Sequence, residues 1–164
     1  MYLLDTPVVL ELRRAKAGRT DAGLTSWAAG IARQNLLLSA LSLLELENTA
    51  ARTEKQDKSG GQALRNWIAD QVMPAFDGRI LAIDAAIVRR RAQLSLADTR
   101  DALLAATAIE HGLTLVTRQT AAFKGARVKL FNPWGYTPED EEDSDWRQAA
   151  RSGPLWFKNL FVRA

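Results

Sequence analysis

The sequence predicts an α/β domain built on a small, mostly parallel sheet. Short apolar runs rich in Leu, Ile and Val alternate with longer amphipathic stretches, the order that strand–helix–strand units require. The amphipathic stretches begin at Ser, Thr or Asp and several end at Gly, as capped helices do. The 164 residues, 47% hydrophobic and 25% charged, suffice for one domain with a buried core.

Taken in order, "MYLLD" reads as the first strand. Thr6 is the expected N-cap of the helix that follows, with Pro7 at its first position, where a missing N–H costs nothing. "VVLELRRAK" continues that helix to a stop at Gly18. A second helix from about Asp21 to Gln34 leads into the strand "NLLLSA". Ser42 and Glu45 have capping-box spacing, so the next helix is expected to start at Ser42 and run through "SLLELENTAARTEKQ". "DKSGG" reads as a loop before a helix "QALRNWIADQVM" that Pro74 stops. "RILAI" is a short strand, and Asp84 caps "AAIVRRRAQL". Asp98 caps a helix over "DTRDALLAATAIEHG" that Gly112 terminates. "LTLVT" is a strand, "RQTAAFKG" a helical turn or loop, and "ARVKLFNPW" the last strand. Residues 1–136 are thus expected to form the domain. Residues 137–164 follow as an acidic linker, "EDEEDSD", and an apolar tail, "GPLWFKNLF".

Composition narrows the chemistry. With no cysteine, disulfides and thiolate metal sites are excluded, and a reducing compartment is compatible. No stretch looks like a signal peptide or a membrane span, so a soluble cytoplasmic protein is expected. One histidine, His111, rules out a multi-histidine metal centre, and its place beside Gly112 suits the end of a helix. Any metal should therefore be a hard cation on carboxylate oxygens, Mg²⁺ or Mn²⁺. Residues 1–136 hold 18 Lys and Arg against 13 Asp and Glu, a balance that permits a polyanionic partner.

Three acids stand out by position. Asp5 ends the first strand, Glu45 is expected in the first turn of the helix after the second, and Asp101 in the first turn of the helix before "LTLVT". Ligands bind open parallel sheets at the carboxyl ends of the strands. Carboxylates gathered there repel one another unless a divalent cation neutralises them. Such a site suits metal-assisted phosphodiester hydrolysis. Each acid also has a purely structural reading: Asp5 bonding the backbone of its turn, Glu45 completing the capping box, Asp101 complementing a helix dipole. Arg89, Arg90 and Arg91 read as a solvated helix face. A phosphatase with an aspartate nucleophile fits poorly, because its second aspartate would fall at Pro7.

The stretches "MYLLDTPVV", "LSALSLLELE" and "DALLAATAIEHGLTLVTRQTAAFKGARVKLFNPW", with "ILAIDAAIVRRRAQL" between them, resemble PIN-domain, VapC-type toxin ribonucleases of type II toxin–antitoxin pairs, in family order over about residues 1 to 135. The resemblance implies a three-layer α/β/α domain and an endoribonuclease using Mg²⁺ or Mn²⁺. It implies Asp5, Glu45 and Asp101 as the catalytic acids, with Asp5 and Asp101 on the metal and Thr117 beside the pocket. It further implies an RNA substrate, a cognate antitoxin, a homodimer and a toxin–antitoxin hetero-oligomer. Pro7, Gln119 and Ala122 depart from the family pattern, Ala122 standing where a fourth acid is frequent. Those departures support the alternative, a weakened or silent PIN module that binds RNA or an antitoxin.

Overall fold

A computed structural model describes residues 1–15 and 20–137. Five strands, β1 (Tyr2–Leu4), β2 (Leu36–Ser39), β3 (Ile80–Leu81), β4 (Thr114–Val116) and β5 (Lys129–Phe131), form one sheet in the order β3-β2-β1-β4-β5. Every adjacent pair is parallel, with Leu3 opposite Leu37 on one side and Leu115 on the other. Helices α1 (Thr6–Arg14) and α2 (Ala22–Gly30) link β1 to β2. Helices α3 (Ala40–Gln56), α4 (Lys58–Trp67) and α5 (Met73–Ala75) link β2 to β3, and α6 (Ala85–Ala92) and α7 (Thr99–Glu110) link β3 to β4.

The strands are apolar at consecutive positions because helices cover both faces of the sheet. Side chains alternate across a strand, so one strand feeds two cores. Leu4, Leu36, Leu38 and Val116 join a cluster with Leu12 of α1, Trp27 of α2, Leu46 of α3 and Trp67 of α4. Leu3, Leu37 and Leu115 point the other way, onto Leu104, Ala105 and Ala108 of α7 and onto Phe123. Each fully buried leucine of this kind contributes roughly 1.5–3 kcal/mol. The expected three layers are therefore present.

Five boundaries differ from expectation. α1 is capped at Asp5, and its expected stop at Gly18 lies outside the described residues. α2 ends at Gly30, and residues up to Asn35 form an extended link and a 3₁₀ turn (Arg33–Asn35). α3 starts at Ala40 on the N-cap Ser39, whose Oγ accepts from the Leu41 N–H at 3.2 Å, so no capping box forms at Ser42. "DKSGG" is helical, because the Asp57 carboxylate accepts from the Gly60 N–H at 3.0 Å and starts α4 one residue after α3. Pro74 does not stop that helix at once. A π-helical turn (Ile68–Val72) runs into α5, whose second residue is Pro74.

The carboxyl ends of the strands define one edge of the sheet. From β1 the chain crosses to β2 on one side, and β4 lies against the other, so the strand order reverses at β1. That is the topological switch point, where parallel sheets open a crevice. Trp134 and Tyr136 still pack against the first core, so the body extends at least that far. The acidic run and the apolar "GPLWFKNLF" lie outside the described residues.

Candidate active site

Asp5 follows the last residue of β1, and its N–H still pairs with the Val116 carbonyl at 3.0 Å. Its backbone caps α1, but its side chain makes no capping bond. Pro7 takes one potential donor out of that first turn. The carboxylate faces the crevice instead, where Oδ2 accepts from Thr117 Oγ1 at 2.7 Å and Oδ1 accepts from Arg100 Nη2. The structural reading of Asp5 as a turn-bonding residue therefore fails. Thr6, expected as the cap, is the first helical residue and donates its hydroxyl to Glu45 Oε2.

Glu45 lies in the second turn of α3, not the first. Ser42, its expected capping partner, is buried and donates to the Leu4 carbonyl at 3.4 Å, tying α3 to the end of β1. Glu45 is thereby left to the crevice. Its Oε1 accepts from Arg100 Nε at 2.8 Å, and its Oε2 accepts from Arg100 Nη2 at 3.1 Å as well as from Thr6.

Asp101 sits in the first turn of α7, whose N-cap is Asp98 as expected. The Asp98 carboxylate accepts from the Asp101 N–H at 2.9 Å. Asp101's own carboxylate takes no part in the cap and accepts from Arg100 Nη1 at 2.7 Å. Thr117, fully buried just after β4, bonds Asp5 and accepts from the Gln119 N–H at 3.1 Å. The three predicted acids and Thr117 thus meet at one place.

The residue that gathers them was not foreseen. Arg100 reaches all three acids with one guanidinium. Neighbours in a helix do not face each other, so an arginine next to Asp101 gives no spacing signal. Its long side chain nonetheless reaches Asp5 after β1 and Glu45 on α3 as well as its neighbour. Burial pushes the Arg100 pKa down, but bonds to Glu45, the charge of Asp5 and bonds to Asp101 and Asp5 outweigh it, and the guanidinium is held firmly charged. Burial likewise pushes the Glu45 carboxyl up. The bonds from Arg100 and Thr6 and the charge of Arg100 outweigh that and hold it below its ordinary value.

The crevice is a cleft of about 810 Å³ whose lining includes Asp5, Glu45, Arg100 and Asp101, together with Gln119, Arg52 and Lys55. Glu45, Arg52 and Lys55 all project from α3. Ala122 is exposed on the 3₁₀ turn (Thr120–Phe123) and is not part of the lining. With the guanidinium between them, the acids stand too far apart to ligate one ion, and among the described residues no set of three His, Cys, Asp or Glu is close enough to do so. No helix among the described residues is long and apolar enough to cross a membrane.

Residues 2–127 match the family model described as PIN domain, and the chain belongs to that family, on its VapC-type toxin branch. It is similar to Toxin FitB of Neisseria gonorrhoeae, with 33% identity over 142 residues that cover 82% of this chain and 99% of the relative. It is similar to VapC ribonuclease Y4jK of Sinorhizobium fredii, with 31% identity over 143 residues covering 82% of this chain and 98% of the relative. Among solved structures it resembles the crystal structure of FitAcB from Neisseria gonorrhoeae, with a TM-score of 0.72 and 30% identity over 82% of this chain and 99% of that one.

Proposed function

We propose that the chain is the toxin of a toxin–antitoxin pair and hydrolyses RNA phosphodiesters internally with Mg²⁺ or Mn²⁺, in the cytoplasm. Residues 1–136 form the nuclease domain and 137–164 a linker and tail. The observation that carries the reading is the convergence of Asp5, Glu45 and Asp101 on a single positive group at the switch point of a parallel sheet. Relatives named as a toxin and a ribonuclease give the same direction.

The chemistry of the donor set fits the implied ion, and the acids would have to close in from their places around Arg100 to hold it. Two aspartates and a glutamate offer hard oxygens, which suit Mg²⁺ and Mn²⁺ rather than softer metals. Asp5 and Asp101 would hold the ion. When bound, it polarises a phosphoryl oxygen and lowers the pKa of water. Glu45 would orient the attacking water and take its proton. The water oxygen bonds to phosphorus, the bond from phosphorus to the leaving ribose oxygen breaks, and that oxygen takes a proton from solvent. Thr117 fixes the Asp5 carboxylate through Oδ2, and Arg52 and Lys55 receive the backbone phosphates.

Its partners in this reading are an antitoxin polypeptide, a second copy of the chain, and the hetero-oligomer they form. An antitoxin arginine is a physically sensible inhibitor of three acids. The test is cleavage of a mixed RNA pool by purified protein with Mn²⁺, with chelator, and with Asp5→Asn. Cleavage that needs metal and Asp5 is expected; none under any condition overturns it. A second reading, a silent module that binds RNA or an antitoxin, is favoured by Arg100 lying among the acids, and the same assay separates the two.

A further inference from the structure

We propose that Arg100 is an internal counter-cation of the acid trio that leaves for an RNA phosphate as the divalent ion arrives, so that metal and RNA bind cooperatively. The inference rests on the metal-dependent ribonuclease reading above and adds a residue and a coupling to it.

The geometry makes guanidinium and ion mutually exclusive. Arg100 spends Nε, Nη1 and Nη2 on Glu45, Asp101 and Asp5, with bonds of 2.8 Å to Glu45 Oε1 and 2.7 Å to Asp101 Oδ1. Acids arranged around the rim of a planar guanidinium stand farther apart than ligands packed at about 2.0–2.1 Å around Mg²⁺. One arrangement has to be given up for the other. The carboxylates close on the ion only when the guanidinium is withdrawn.

Withdrawal leaves a charged fork without partners in a partly buried cleft, a costly state unless another anion meets it. The Arg100 side chain is 27% exposed, so it is not sealed among the acids. Exposed Arg52 and Lys55 also line the cleft and can take a polyanion. Phosphate oxygens match the guanidinium fork two at a time. An RNA phosphate thus draws Arg100 off the acids and favours the ion, and by linkage the ion favours RNA to the same degree. A neutral Gln at 100 removes both the competitor and the coupling.

The experiment measures Mn²⁺ affinity by calorimetry for the wild type and Arg100→Gln, each with and without an uncleavable phosphorothioate oligonucleotide. In the absence of oligonucleotide, Arg100→Gln should bind Mn²⁺ on the order of 10- to 100-fold more tightly, the range by which groups beside metal ligands alter affinity. The oligonucleotide should tighten Mn²⁺ binding in the wild type and leave the variant unchanged. The NMR signal of the Arg100 Nε–H in the wild type gives a second readout that needs no variant: Mg²⁺ should shift it and end its protection from exchange. Equal or weaker Mn²⁺ binding by Arg100→Gln, or an Nε–H unmoved by Mg²⁺, overturns the proposal. Mn²⁺ binding that Asp5→Asn abolishes but Arg100→Gln leaves unchanged keeps the metal reading and sinks this one. If no form binds Mn²⁺, both fall together.

Discussion

Thr117 Oγ1 donates a 2.7 Å hydrogen bond to Asp5 Oδ2 across the ends of two neighbouring strands, with both residues buried. The bond ties one carboxylate oxygen to the sheet and leaves the other, Oδ1, for the cleft. The same hydroxyl oxygen accepts from the Gln119 N–H at 3.1 Å, which starts the turn after β4. One side chain therefore orients Asp5 and shapes the loop beside it.

Replacing Thr117 by Val keeps the shape and removes that hydroxyl. The buried Asp5 carboxylate is left short of a donor, so a loss of about 1–3 kcal/mol is expected in urea denaturation. RNA cleavage should fall further than stability accounts for, because Asp5 loses its orientation. Thr117→Ser should keep both. Val and Ser variants of equal activity would refute the role given to the hydroxyl.

How much of this was legible in the sequence depended on distance along the chain. The apolar runs announced the strands, and Asp98 and Asp84 announced their helices, because a cap and its N–H lie within three residues. Asp5, Glu45 and Asp101 stand out by their places after strands and at helix starts, whereas Thr117 comes from the resemblance alone. The detailed roles were not legible. Ser42 looked like a cap, but its hydroxyl goes 38 residues back to Leu4, and Thr6 goes 39 residues forward to Glu45. Arg100 serves acids 95 and 55 residues away, contacts that no local pattern encodes.

Glu45 gives the site a defined response to acid. Its carboxyl is raised by burial but lowered more by the Arg100 and Thr6 bonds and by the Arg100 charge, for a net value below that of the unfolded chain. The unfolded state therefore takes up the proton first as pH falls. The stabilisation is complete above the unfolded value, about 4.3, and is lost as pH drops through the folded one. Glu45→Gln should lower the urea midpoint at pH 7, with the difference from wild type closing as pH falls below that window. The side chain is 28% exposed, so solvent screening keeps the effect modest. A difference that widens in acid would contradict the sign.

Residues 119 and 122 separate two routes to a fourth acid. Gln119 lines the cleft, whereas Ala122 is exposed outside that lining. A carboxylate at 119 adds negative charge beside the trio; at 122 it meets solvent, where screening is strong. Gln119→Asp should tighten Mn²⁺ binding in calorimetry, and Ala122→Asp should leave it close to wild type. Tightening by Ala122→Asp alone would mean that the turn places position 122 against the acids in solution.

The helix that carries Glu45 is braced by a close approach that only glycine permits. A Cβ at Gly61 of α4 would stand 2.4 Å from Glu54 Cα and 2.5 Å from Glu54 N on α3, a clash with backbone that no rotamer change relieves. Arg65, one turn further along α4, pairs with the same Glu54 at 2.9 Å and would be displaced with it. Gly30, at the end of α2, has nothing within 4 Å of its added Cβ, and it is the natural control. Ala is worth about 1 kcal/mol more than Gly inside a helix, yet overpacking costs about 1–3 kcal/mol, so the clash should win at Gly61. Gly61→Ala is expected to lower the thermal midpoint, and Gly30→Ala to leave it unchanged or raise it slightly by restricting the unfolded chain. Because α3 also presents Glu45, Arg52 and Lys55 to the cleft, Gly61→Ala should weaken RNA binding at temperatures where the protein is still folded. A stabilised Gly61→Ala would show that α3 and α4 lie farther apart than described, and the position given to Glu45 would have to move with them.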